Sequence, residues 1–189
     1  MSPSSSSSKL STNKADLAVA EGNIGPIVSS SHLASGAMPS LSEMEYALTV
    51  ASHAFSRWMV RCMSASGLSG LTPLEVQILH SVNHRDREKT LGDLCTMLNI
   101  EDTHLVSYAI KKLVSLDLVI AGKRGKEKTV KISKTGGRAC ARYKEVRERL
   151  LVASITAMGM EEQDVSAVAH MLRALSGQYD QAARGAASL

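Results

Sequence analysis

The chain has 189 residues, of which 44% are hydrophobic and 3% aromatic, and its formal net charge is +4. That length and composition suit one domain with a helical extension and an aliphatic core, and no apolar run is long enough to span a bilayer. The charge is uneven: Lys123 to Arg149 holds eleven Lys or Arg against three Glu, a local net of +8, which points toward a polyanionic partner.

Residues 1–40 hold a serine run, scattered glycines and Pro39, with poor periodicity. They read as an arm, because such a segment does not repay its ordering entropy alone. Its apolar part, "LAVAEGNIGPIV", is the piece expected to dock on a neighbour. The opening "MSPSSSSSKL" does not read as a secretory leader, so a cytoplasmic location is expected.

From Leu41 to Met63 apolar residues recur at spacings of three and four: Leu41, Met44, Leu48, Ala51, Phe55, Trp58 and Cys62. This predicts one face of a long helix, with Ser40 or Ser42 as cap and Gly67 and Gly70 after its end. "LTPLEVQILHSV" predicts a second helix capped by Thr72, with Pro73 at N1 and Glu75 at N3. Leu74, Ile78 and Leu79 are its inward residues. In "NHRDREKT", Arg85, Arg87 and Lys89 alternate with Asp86 and Glu88, a pattern read as a solvated linker.

A short helix, "LGDLCTMLN", follows, with Thr90 as cap and Asp93 three residues on. The next helix is expected from Asp102 to Leu116. Val106, Ala109, Ile110 and Leu113 form its buried stripe, so His104, Ser107, Tyr108 and Lys111 look outward. Leu118–Ile120 and Thr129–Ile132 are expected as strands, with Gly122 and Gly125 giving the turn between them its permissive backbone. A helix from about Thr135 carries Ala139, Tyr143, Val146 and Leu150 on one face. Gly159 breaks it, and a last helix from Glu161 to Arg184 shows Val165, Val168, Leu172, Leu175 and Tyr179.

The fold class is therefore mainly α. Two short helices with a tight turn and then a β-hairpin make a winged helix-turn-helix, whose second helix enters the major groove. From Leu41 onward the chain also resembles the MarR family of bacterial transcriptional regulators. The likeness lies in the order of elements, in "AIKKLVSLDLV" before a basic hairpin, and in "KISKTGGR", where members often have "LTxxG". Three positions differ. Leu105 and Tyr108 stand where members often carry Thr and Arg. Asp117 replaces a usual Gly, a substitution that Asp tolerates because it adopts the left-handed conformation more readily than most residues. The wing tip lacks a clear Asp-x-Arg, and Arg124, Glu127 and Lys128 are the nearest equivalents.

The resemblance implies a homodimer with interlocked terminal helices and two wings astride a pseudo-palindromic DNA site. The expected organisation is an arm over 1–40, an N-terminal dimerisation helix over 41–66, a winged helix-turn-helix DNA-binding domain over 67–134, and C-terminal dimerisation helices over 135–189. The apolar stripes of the terminal helices agree, since they need a partner to cover them.

Double-stranded DNA is the expected partner, and transcription regulation without catalysis the expected function. His104, Ser107, Tyr108 and Lys111 are the candidates for reading bases and positioning the backbone. Lys112 lies further round the helix, as a phosphate contact or a plain surface residue. Lys123, Arg124, Lys126 and Lys128 of the hairpin suit phosphates or the minor groove, and the resemblance favours Arg124. His53 and Trp58 are weaker candidates for the ligand pocket that the family often has, with a small molecule as effector. The alternative is a winged-helix protein-interaction module that does not read DNA.

No cofactor, metal or catalytic set is expected. His53, His80 and His84 lack a carboxylate or thiol to complete a compact site. "GKRGKEKT" lacks the spacing and the following helix of a phosphate loop. Cys62, Cys95 and Cys140 are odd in number and widely spaced, which suits small buried hydrophobes.

Overall fold

The structure is a computed structural model, and it describes residues 25–189. The expectation for "LAVAEGNIGPIV" therefore falls mostly outside the described residues. The chain divides into two compact units, residues 1–54 and 55–189. In the first, a short 3-10 helix (Ser31–Ser35) precedes the start of helix α1 (Pro39–Ala65). Ser42 Oγ donates to the Leu33 carbonyl at 2.8 Å, so it ties these two pieces together.

The second unit is mainly helical and has the winged helix-turn-helix arrangement. After the end of α1 come α2 (Pro73–Asn83), β1 (Lys89–Thr90), α3 (Leu91–Leu98), α4 (Thr103–Ser115), β2 (Val119–Arg124), β3 (Glu127–Ile132) and α5 (Lys134–Arg147). A π-helical stretch, Glu148–Val152, links α5 to α6 (Ala153–Ala157), and α7 (Glu162–Ala186) closes the chain. Among the described residues no helix is long and apolar enough to cross a membrane.

Helix starts follow local chemistry. Thr72 and Thr90 both form full capping boxes, with Glu75 and Asp93 returning the hydrogen bond to the cap's own N–H. Each cap is worth about 1 kcal/mol against alanine. Helix ends follow local chemistry too. Asn99 (φ 52°) and Asp117 (φ 54°) are left-handed, and Ile100 and Leu118 then donate back to Cys95 and Leu113 at 2.9 Å. The two helices of the motif thus close with the same six-to-one bond, using residues that tolerate that conformation better than most.

The core is aliphatic, as composition requires. It joins Met59, Cys62 and Met63 of α1 to Val76, Ile78, Leu79 and Val82 of α2, Leu94 of α3, Val106 and Leu113 of α4, and Tyr143 and Val146 of α5. The expected apolar faces are covered unequally. On α1, Cys62 of the expected face is buried, Met59 and Met63 beside it complete the anchor, and Phe55 is exposed. Leu74 is only partly buried, and Leu150 is exposed. Helix α7 has no buried residue along its 25 positions.

The sheet has three strands in the order β1-β3-β2. Strand β1 falls inside the stretch read as a linker and pairs Lys89 with Val130 and Thr90 with Thr129. Lys89 is not solvated: it is 1% exposed, and its Nζ donates to the carbonyls of Val82, His84 and Arg87 at 3.2, 2.7 and 3.3 Å. The hairpin is also longer than expected. Its strands run to Arg124 and Glu127, which face each other, and the turn is only Gly125–Lys126. Gly125 has φ 63°, as the first position of a primed two-residue turn requires. Gly122 lies within β2 and is not part of the turn.

Candidate nucleic-acid interface

Three elements build one surface: α3, α4 and the β2–β3 hairpin. Helix α4 hangs on the core by Val106, Ala109 and Leu113, and period 3.6 turns His104, Tyr108 and Lys111 outward, where all three are exposed. Ser107 is half-buried on the flank facing the hairpin. A groove of about 520 Å³ runs between α4 and the hairpin, and Ser107, Lys111, Lys128 and Thr129 contribute its polar lining. The fold thus brings Ser107, Lys111 and Lys128 together from distant parts of the chain.

Lys123, Arg124, Lys126 and Lys128 are all exposed on the hairpin. Arg124 pairs with Glu127 across the tip at 3.6 Å, an exposed pair worth little by itself. The Thr90 N–H donates to Asp93 Oδ2 at 2.8 Å, and the Thr90 hydroxyl accepts from the Asp93 N–H at 3.1 Å. This capping box holds the Asp93 carboxyl below the usual range, with smaller help from the nearby charges of Arg124 and Arg87. The start of α3 and the wing therefore share one electrostatic neighbourhood.

Lys112 stands apart from this set. Its Nζ lies 2.9 Å from Glu75 Oε2 and donates to the Gly70 carbonyl at 2.7 Å. That ammonium joins α4 to the start of α2. Burial alone would raise the Glu75 carboxyl, but hydrogen bonds from the Thr72 backbone and the Lys112 ammonium outweigh it and hold it low.

A second concavity, of about 730 Å³, is lined by residues of α1, α2 and α5, among them Trp58, Met59, His80, Tyr143 and Arg147. Trp58 is half-buried there, and His53 is exposed on α1. His80 packs edge-on against Tyr143, ring centroids 4.5 Å apart. Burial lowers its pKa, and its Nε2 is buried without a hydrogen-bond partner. In the sequence His80 stands out only as a candidate metal ligand and Tyr143 only as core. The one available signal was that each is a polar ring within an apolar helical stripe. Burial pushes the Cys62 thiol up, and the Cys140 thiol up to about 11, so neither is a thiolate near neutral pH.

The comparisons with known proteins agree with this architecture. A family described as a winged helix DNA-binding domain matches residues 71–136. No curated protein matches the chain. Among solved structures, a MarR transcriptional regulator from Methanosarcina mazei Go1 is similar at TM-score 0.58 and 13% identity, over 73% of this chain and 90% of that one. A mutant MarR from E. coli complexed with operator DNA is similar at TM-score 0.59 and 14% identity, over 75% and 99%. An organohalide-sensing transcriptional regulator in its ligand-free form reaches TM-score 0.59 and 18% identity, over 82% and 86%. At such identities the likeness is one of fold: the chain carries a winged-helix domain flanked by terminal helices in the MarR-like arrangement.

Proposed function

We propose that the protein is a cytoplasmic, homodimeric, sequence-specific regulator of transcription of the MarR type, which binds double-stranded DNA. The observation that carries this reading is the shared surface of α4 and the hairpin, where Lys111, Lys123, Arg124, Lys126 and Lys128 are exposed together. In this reading α4 enters the major groove, with Ser107 and Lys111 at base edges and His104 near the backbone. The hairpin cations contact phosphates, which fix register but carry no sequence information. Lys112 is left out of the interface, because its charge is already engaged.

The division of labour follows. Residues 67–134 form the DNA-binding domain, 41–66 and 135–189 supply dimerisation helices, and 1–40 form an arm. Support for the dimer comes from α7, whose Val165, Val168, Met171 and Leu172 are all at least 40% exposed. A second copy of this helix and of α1 would cover such a stripe. The cavity beside His80 is our candidate effector site. Its volume suits a small molecule, and a ligand's polar group would satisfy His80 Nε2. A ligand there touches α1, α2 and α5 at once, so it can shift the spacing of the two α4 helices in a dimer.

The experiment is duplex binding at several salt concentrations, with wild type, Lys111→Ala and Arg124→Ala. Each lost phosphate contact lowers the slope of log affinity against log salt by about 0.9. Wild type without duplex affinity or salt dependence would sink the proposal. The second reading is a protein-interaction module, and it draws on the apolar residues Leu105 and Tyr108 exposed on α4.

A further inference from the structure

The outward side of α4 is not wholly polar. Leu105 is 52% and Tyr108 67% exposed, and at three residues apart they are neighbours on one face of the first turns of the helix. Val106 and Ala109, their sequence neighbours, are buried, so the exposed pair cannot turn inward to join the core. The Lys111 ammonium sits 5.2 Å from the centroid of the Tyr108 ring. The result is a small apolar patch with a cation beside it, next to the lysine-rich hairpin.

Leucine on the groove-facing turn of such a helix neither donates nor accepts a hydrogen bond. In the major groove of B-DNA the apolar group on offer is the C5-methyl of thymine. We infer that Leu105 and Tyr108 are specificity-determining residues that pack on thymine methyl groups, so that each half-site carries thymines at the positions facing the start of α4. Lys111 then lies against an adjacent guanine edge or phosphate. The inference rests on the proposed DNA-binding function and adds the chemical class of base that is read. Charge decides between DNA and an apolar protein surface as occupant. Lys111 and the hairpin cations flank the patch, and a partner seated on it must neutralise them.

The test uses the full chain and duplexes selected by it from a random pool. In the selected duplex each thymine is replaced singly by deoxyuridine, which keeps every hydrogen-bonding group and removes only the methyl. One or two replacements per half-site weaken wild type about fourfold each, the transfer value of one buried methyl group. Leu105→Ala or Tyr108→Ala binds the thymine and uracil duplexes equally at the position that residue reads. Both side chains are exposed, and thermal melts matching wild type confirm that the variants fold. Wild type indifferent to every replacement overturns the inference while leaving DNA binding intact. Variants that keep the full uracil penalty overturn it too and leave the patch to a protein partner. Failure to select any duplex removes the DNA-binding reading and this inference together.

Discussion

Lys89→Met removes a buried ammonium and keeps a side chain of similar length and apolar stem. In the native fold that ammonium is 1% exposed and gathers three carbonyls: Val82 at the end of α2, and His84 and Arg87 in the turn before β1. Arg85, between two of these carbonyls in the turn, is left-handed at φ 60°. A hydrogen bond to a charged group contributes about 1.5–3 kcal/mol net, and the bond to His84 at 2.7 Å is the best of the three. Against this, methionine avoids the several kcal/mol cost of burying an ammonium. The carbonyls of His84 and Arg87 can also turn to water, which leaves mainly the Val82 carbonyl unpartnered. The expected loss is about 2–3 kcal/mol, or about 4–12 °C in Tm for a unit of this size. Guanidinium unfolding with an unchanged m-value measures it. Hydrogen exchange locates it: amides of residues 84–90, and of Val130 and Thr129 opposite β1, should exchange faster than those of α5. A change within about 0.5 kcal/mol, or a gain in stability, would refute the idea that this lysine holds the wing sheet to α2.

Three further outcomes follow from local geometry. A Cβ at Gly136 would overlap the Leu118 carbonyl oxygen and come within 2.8 Å of Ile132 Cδ1, whereas at Gly137 it would meet nothing within 4 Å. Gly136→Ala should therefore cost about 1–3 kcal/mol or more, while Gly137→Ala should add up to about 1 kcal/mol, both read from thermal melts. Glu75 has a folded pKa below its ordinary 4.5. Its contribution is fully present above that value and lost as pH falls through the lower folded one, so Glu75→Gln should flatten the acid limb of a stability-against-pH curve. His80 likewise has a folded pKa below its ordinary 6.5. Above pH 6.5 it costs nothing, and as pH falls the unfolded chain takes up the proton first. Stability should decline from pH 7 toward pH 5, and His80→Phe should remove that part of the decline.

The elements that the sequence made legible are those with a local cause. Threonine caps with an acid three residues on mark where α2 and α3 begin, and aliphatic periodicity marks α4 and α5. What it hid depends on contacts across the chain. A two-residue strand such as β1 is too short to alternate, and Lys89 among charged neighbours looks solvated until three carbonyls are seen to converge on it. The hairpin strands are masked by their own lysines, because both faces of that ribbon near its tip are exposed and carry no apolar alternation. Lys112 meets Glu75 only through the packing of α4 on the start of α2. Leu105 stands out in the sequence only as a difference from MarR-family members, since a leucine on a helix reads as core until its exposure is known.

In the proposed function α4 and the wing read a particular duplex. The most direct measurement is the ratio of affinities for a duplex selected from a random pool and for its scrambled counterpart, at one physiological salt concentration. Sequence-specific reading should give a preference of at least about 10³-fold, reduced by Lys111→Ala. Equal binding of both duplexes, with Kd in the range of about 10⁻⁴–10⁻⁶ M, would contradict it.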